Sequence, residues 1–143
     1  MNAFFDTNYL LDVLVKTRPE HRFAEMILQV VRDGDIEGCI TTQSIVDASY
    51  IYSQRLKETL SDFRKSVQVL SGIVKVVPIL PDDIAMACKS GIADFEDAVQ
   101  LSCAIRNGCD VIVTRDQKFK GFTDISTFTP SQLFDLLFSR PWE

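Results

Sequence analysis

Ala3-Phe4-Phe5-Asp6-Thr7-Asn8-Tyr9-Leu10 decides the fold. Three apolar residues stop at an aspartate, and Tyr9, Leu10, Val13 and Leu14 follow at helical spacing. This order reads as a strand, an acid at the strand's carboxyl end, and a helix. Moving outward, Pro19 to Arg32 carries Phe23, Met26, Ile27, Val30 and Val31 as one apolar stripe, with Pro19 at its start and Gly34 just past its end, which predicts a helix. Ile36 to Thr41 predicts a second strand, with Thr42 as the N-cap of a helix running to about Lys57. An amphipathic segment, Leu60 to Leu70, precedes the β-branched run Val74 to Leu80, and Pro81-Asp82-Asp83 opens another helix. Asp94 to Asn107 is helical by pattern, with Phe95, Ala98, Val99, Ser102 and Ile105 as its inward stripe and Asn107-Gly108 closing it. Val111 to Thr114 predicts a fourth strand ending near Asp116, Ile125 to Phe128 a fifth, and Thr129-Pro130 a C-terminal helix holding Leu133, Leu136 and Leu137.

Strands alternating with helices of this length build βαβ units and a parallel sheet covered on both faces. In such folds ligands bind at the carboxyl ends of the strands. Asp6 and Asp116 both follow strand ends there.

The chain has 143 residues, 46% of them hydrophobic, the length of one domain. Folding at this size removes about 70% of the unfolded surface from water, so no disulfide or structural metal is required. No repeat, low-complexity tract or linker divides it, and residues 1–143 read as a single domain. No apolar run approaches a membrane span, and no basic region precedes the opening apolar stretch. The expectation is a soluble, cytoplasmic protein without a membrane partner. Cys39, Cys88, Cys103 and Cys109 lack CxxC spacing and lie mostly among apolar neighbours, as buried free thiols do, which argues against a zinc site or a disulfide framework. A net charge of −5 excludes nucleic-acid binding through a general basic surface. Any such contact must be local or metal-mediated.

Among the 20 acids, Asp outnumbers Glu by 14 to 6, and Asp is favoured where a short carboxylate caps, turns or binds a hard cation. Asp6 and Asp116 taken singly each fit a helix N-cap. Asp94 and Asp97, three apart, share one helix face and repel unless a cation intervenes; as a solvated first turn they would instead be favoured by the helix dipole. Asp47 lies between Ile45-Val46 and Ala48-Ser49-Tyr50-Ile51. There it is either a buried carboxylate needing a partner or the mark of a helix exposed on one side. Brought together, Asp6, Asp47, Asp94, Asp97 and Asp116 would form an oxygen-rich pocket suited to Mg²⁺ or Mn²⁺. They account for the whole excess of acids over the 15 basic residues.

Asp6-Thr7-Asn8 after a first strand, an acid near position 47, Asp94-Phe95-Glu96-Asp97-Ala98, and Thr114-Arg115-Asp116 resemble the motifs of PIN-domain proteins. The group most similar is that of VapC-type toxin ribonucleases, and the resemblance spans about residues 2 to 135. It implies a three-layer α/β/α sandwich with a central, mostly parallel sheet of four to five strands. It also implies a metal-dependent ribonuclease that cleaves RNA, often as a homodimer and often restrained by a cognate antitoxin. By position, Asp6, Asp97 and Asp116 match the family's acidic ligands and Asp94 an additional acid of some members. Asp47 stands where the family usually has Glu, one methylene shorter in reach. Thr7, Asn8 and Thr114 match positions that support the acids by hydrogen bonding.

A divalent ion held by such carboxylates would bind a phosphodiester oxygen and acidify a water, so no nucleophilic side chain is required. His21, the only histidine, falls on the polar side of its helix and outside this chemistry. Arg115, Lys118 and Lys120 fit either RNA-backbone contacts or a solvated basic loop. Tyr50 and Tyr52, followed by Arg55 and Lys57, fit core or interface, as do Leu133 to Phe138 and Trp142. Competing readings are a haloacid-dehalogenase-type phosphatase, which resembles Asp-x-Asp where this chain has Asn8 as the third residue, and a PIN-like module that binds RNA or protein without catalysis. A receiver domain lacks its late-strand lysine here.

Overall fold

The computed structural model describes residues 1–55, 60–115, 119 and 122–138. Lys57, Asp116, Lys118, Lys120 and Trp142 lie outside the described residues. Five strands form one sheet, β1 (Asn2–Phe5), β2 (Glu37–Thr41), β3 (Lys75–Val77), β4 (Val111–Val113) and β5 (Ser126–Phe128), in the order β3-β2-β1-β4-β5. Every neighbouring pair is parallel. The first strand of the chain is therefore the middle of the sheet, and Ala3, Phe4 and Phe5 are buried because helices cover both faces.

One face carries α1 (Thr7–Leu14), α2 (His21–Arg32), α3 (Thr42–Tyr50), α4 (Leu60–Ser71) and α7 (Pro130–Phe138) over Ala3, Phe5, Ile40, Val111 and Val113. The other carries α5 (Pro81–Lys89) and α6 (Phe95–Arg106) over Phe4, Cys39, Val77 and Ile112. The sheet is thus the middle layer of an α/β/α sandwich. No helix among the described residues is long and apolar enough to cross a membrane.

Several boundaries differ from the sequence expectation for local reasons. Helix α2 begins at His21 rather than Pro19, and Met26 is exposed while Ala24 takes its place in the core. Thr41, the last residue of β2, caps α3 instead of Thr42, accepting from the Ser44 amide at 3.0 Å. Helix α3 ends at Tyr50, and Ile51–Arg55 continues as a π-helical turn. That turn buries Tyr52 against Phe63, ring centroids 5.5 Å apart, and leaves Tyr50 exposed. The third strand is only Lys75–Val77, ending before Pro78, which has no amide to donate.

The largest difference is the phase of α6. Phe95 and Ile105, expected inside, are each more than half exposed. The buried set is Asp97, Ala98, Val99, Gln100, Leu101, Cys103 and Ala104, a wide face that includes two polar residues.

Packing at the sheet centre depends on Gly38. It pairs with Ala3, and a Cβ there would overlap the Phe5 ring. Phe5 in turn stacks on Tyr9, centroids 4.0 Å apart, and the Tyr9 hydroxyl donates to the Ala24 carbonyl at 2.8 Å. Strand β1, α1 and α2 are fastened together through this one column.

Candidate active site at the carboxyl edge of the sheet

The chain leaves β1 at Asp6, whose backbone is extended and whose carboxylate caps α1 by accepting from the Tyr9 amide at 2.9 Å. Phe5 pairs with Ile40 on one side and Val113 on the other, so Asp6 stands abreast of Thr41 and Thr114 at the carboxyl edge. All three are buried polar residues. Asp6 and Thr114 flank the switch point of the sheet, between β1 and β4, whose outgoing connections run to opposite sides.

Helix α6 points its amino end at the same edge. Asp94 caps it, accepting from the Asp97 amide at 3.0 Å, and is itself exposed. Asp97 is 9% exposed, and Asp6 is 6% exposed. One turn on from Asp97, the buried Gln100 donates to Ser44 Oγ at 3.5 Å and to Glu96 at 3.4 Å. That contact ties the first turns of α6 to those of α3. Of the two readings of this pair, a solvated first turn describes Asp94 alone, since Asp97 is buried.

Asp47 is not a buried orphan. It is half-buried, accepts from Gln43 at 2.8 Å, and lies on a face of α3 where Val46 and Tyr50 are exposed. Among the described residues, no three His, Cys, Asp or Glu side chains are grouped as a metal site would require. Asp116 lies outside them. The donor chemistry nonetheless suits a hard cation: the acids at this edge offer only oxygens, and the buried Thr7 hydroxyl finds no partner among the described residues. Asn8 meets Arg18 at 3.4 Å.

The sequence pattern missed Asp12. This α1 residue is fully buried and accepts from Arg18 Nε at 2.8 Å and from Arg115, while its second oxygen has no partner among the described residues. Arg115, about one third exposed, is thus anchored to α1 immediately after Thr114. His21 donates from Nδ1 to the Asp12 carbonyl at 2.8 Å and meets Glu25 through Nε2 at 2.9 Å. A second buried carboxylate, Asp83, is structural. It accepts from the Leu80 amide at 2.8 Å and pairs with Arg106 at 2.9 Å. Burial raises its proton affinity, but Arg106, Leu80 and Cys103 together outweigh that and bring its pKa to about 2.

An all-parallel α/β/α sandwich with buried aspartates at the carboxyl edge of its central strand defines a class of proteins whose chemistry sits at that edge. This chain belongs to the PIN-domain family: the family model described as "PIN domain" matches residues 2–118. It is similar to Ribonuclease VapC1 of Aquifex aeolicus, 22% identical over 136 residues that cover 91% of each chain. Its fold is similar to that of VapBC2 from Rickettsia felis, solved bound to a DNA fragment from its promoter, with a TM-score of 0.70, 13% identity, and coverage of 90% of this chain and 98% of the other. It is also similar to VapC20 of Mycobacterium tuberculosis, described as a sarcin-ricin-loop-cleaving toxin, with a TM-score of 0.66, 15% identity, and coverage of 87% and 98%. A toxin–antitoxin complex from Klebsiella pneumoniae matches at a TM-score of 0.64 and 20% identity, covering 90% and 97%.

Proposed function

We propose that this protein is a divalent-metal-dependent ribonuclease that hydrolyses RNA phosphodiester bonds, acting in the cytoplasm as the toxin of a toxin–antitoxin pair. The observation that carries the reading is the placement of Asp6 beside Thr41 and Thr114 at the sheet's carboxyl edge, with the buried Asp97 at the α6 end directed to the same edge. Its support from relatives is the PIN-domain match and the likeness to Ribonuclease VapC1. Several structural neighbours are toxin–antitoxin complexes, which favours a cognate antitoxin as partner; a homodimer is the working form this reading assigns to it.

In this reading Asp6, Asp94, Asp97 and Asp116 hold Mg²⁺ or Mn²⁺, with Asp47 a further acid at the rim. The chemistry such an ion supplies is to polarise the phosphodiester and to make an attacking water more acidic. Asp6 and Asp97 fix the negative charge at the edge, where burial keeps it undiluted by solvent. Thr114, buried abreast of Asp6, is the residue placed to support that carboxylate, whereas the Thr7 hydroxyl has no partner among the described residues and Asn8 meets Arg18. Lys118 and Lys120, with the exposed part of Arg115, hold the RNA backbone.

The test is cleavage of a panel of single-stranded and structured RNAs by purified protein with Mg²⁺, with Mn²⁺ and with EDTA, beside Asp6→Asn and Asp97→Asn. Cleavage that requires metal and disappears in both variants is expected. Cleavage unchanged in the variants would overturn the site. RNA binding without cleavage in the wild type, with metal bound, would replace the enzyme with a binding module.

A further inference from the structure

At the opposite, amino-terminal edge of the sheet, two of the four cysteines meet. Cys39 lies in the middle of β2, paired with Phe4 on one side and Lys75 on the other, on the face that α6 covers. Cys109 follows Gly108, whose φ of 67° turns the chain out of α6 toward β4. The two sulfurs are 3.4 Å apart although 70 residues separate them in sequence. Both residues are 7% exposed, yet both line a cleft of about 470 Å³ bordered by Asn2, Glu37, Lys75 and Asn107. The pair therefore borders a cleft large enough for a small polar solute.

The other two thiols differ. Cys88 is exposed and stands apart from the pair. Cys103 donates to Asp83 at 3.1 Å, and burial together with that carboxylate pushes its thiol up to about 12. Cys39 moves the other way, because its hydrogen bond with Cys109, helped by the nearby Lys75, outweighs burial. The same bond, with burial, raises Cys109. Of the two sulfurs, Cys39 is the one shifted toward thiolate.

We propose that Cys39 and Cys109 form a dithiol oxidation site, at which a hydroperoxide converts the adjacent thiols to a disulfide that fastens β2 to the turn between α6 and β4. The Cys39 thiolate attacks a peroxide oxygen: an S–O bond forms, the O–O bond breaks, and the departing oxygen takes a proton to leave as water or alcohol. Cys109 sulfur then attacks Cys39 sulfur, the S–S bond forms, and hydroxide leaves with the Cys109 proton as water. Two thiols are oxidised by two electrons, and the peroxide is reduced by the same two. The step closes the sulfurs from 3.4 Å to the bonded distance of about 2.05 Å.

The experiment treats the full chain with hydrogen peroxide, alkylates it under denaturing conditions, and maps the peptides by mass. A Cys39–Cys109 linked pair is expected, two hydrogens lighter than the free peptides, with Cys88 and Cys103 alkylated. Its melting temperature should rise by roughly 5 °C or more and return with dithiothreitol. Cys88→Ser should leave the link intact, and Cys109→Ser should stop Cys39 at the sulfenic acid, trapped by dimedone. Four alkylated cysteines after peroxide, a link through Cys88 between chains, or Cys39 oxidised to sulfinic acid without a link would overturn the proposal. The wild-type map decides even where a variant fails to fold, and none of these readouts depends on RNA cleavage.

Discussion

Asp12 in α1 accepts from the guanidinium of Arg115, 103 residues further along the chain, and so joins the first helix to the segment that leaves β4. The same carboxylate accepts from Arg18 at 2.8 Å. A fully buried carboxylate held by two arginines tolerates the loss of one far better than the loss of both. Arg18→Gln and Arg115→Gln should each cost about 1–2 kcal/mol, and the double variant about 3–5 kcal/mol. Urea unfolding of the four proteins checks this, and a double variant as stable as the wild type would show that Asp12 needs neither.

Asp6 has two roles that substitution separates. As the N-cap of α1 it accepts from the Tyr9 amide, a role Asn performs as well as Asp and Ala does not. Asp6→Ala should therefore lose about 1 kcal/mol of stability, and Asp6→Asn much less. Both should lose RNA cleavage, if charge at this edge is what the reaction uses. Paired melting and cleavage assays would read the two effects independently.

Gly38→Ala should destabilise by roughly 1–3 kcal/mol, because the added methyl overlaps the Phe5 ring and that ring is already stacked on Tyr9. Pairing it with Phe5→Leu should recover part of the loss. Calorimetry of the single and double variants tests the coupling.

Acid stability should carry the mark of Asp83. Its pKa of about 2 lies below the 3.8 of an unperturbed carboxyl, so its contribution is fully present above pH 4 and is lost as pH falls toward 2. Asp83→Asn should flatten the stability profile in that window and leave the profile near neutrality parallel to the wild type. It should also lower stability at pH 7, since Arg106 loses its charged partner. A wild-type profile already flat between pH 4 and 2 would remove Asp83 from this role.

Much of the architecture was legible because it is written in local periodicity. The run from Ala3 to Leu14 announces strand, acid and helix within one window, and the alternation that follows leads to a parallel sheet. What eluded the pattern depends on residues distant in sequence. Asp12 sits beside Leu10, Leu11 and Val13 and looks like the polar side of a helix, until Arg18 and Arg115 arrive from elsewhere. The phase of α6 was misread because apolar spacing singled out Phe95 and Ile105, whereas the turn facing the sheet edge buries Asp97 and Gln100. For Asp47, local pattern leaves a buried carboxylate and a one-sided exposed helix equally open, and the exposed Val46 and Tyr50 decide for the second. The meeting of Cys39 with Cys109 carries no local signal at all.

The order β3-β2-β1-β4-β5 also bears on how this chain is made. Strand β1 precedes both of its neighbours in the chain yet becomes the centre of the sheet, and its partner on one side, Val111–Val113, is synthesised more than a hundred residues later. Asp6 gains Thr114 as a neighbour only after that. A growing or truncated chain that ends before β4 therefore has no assembled edge, and the proposed activity is expected only once Val111–Thr114 has been made.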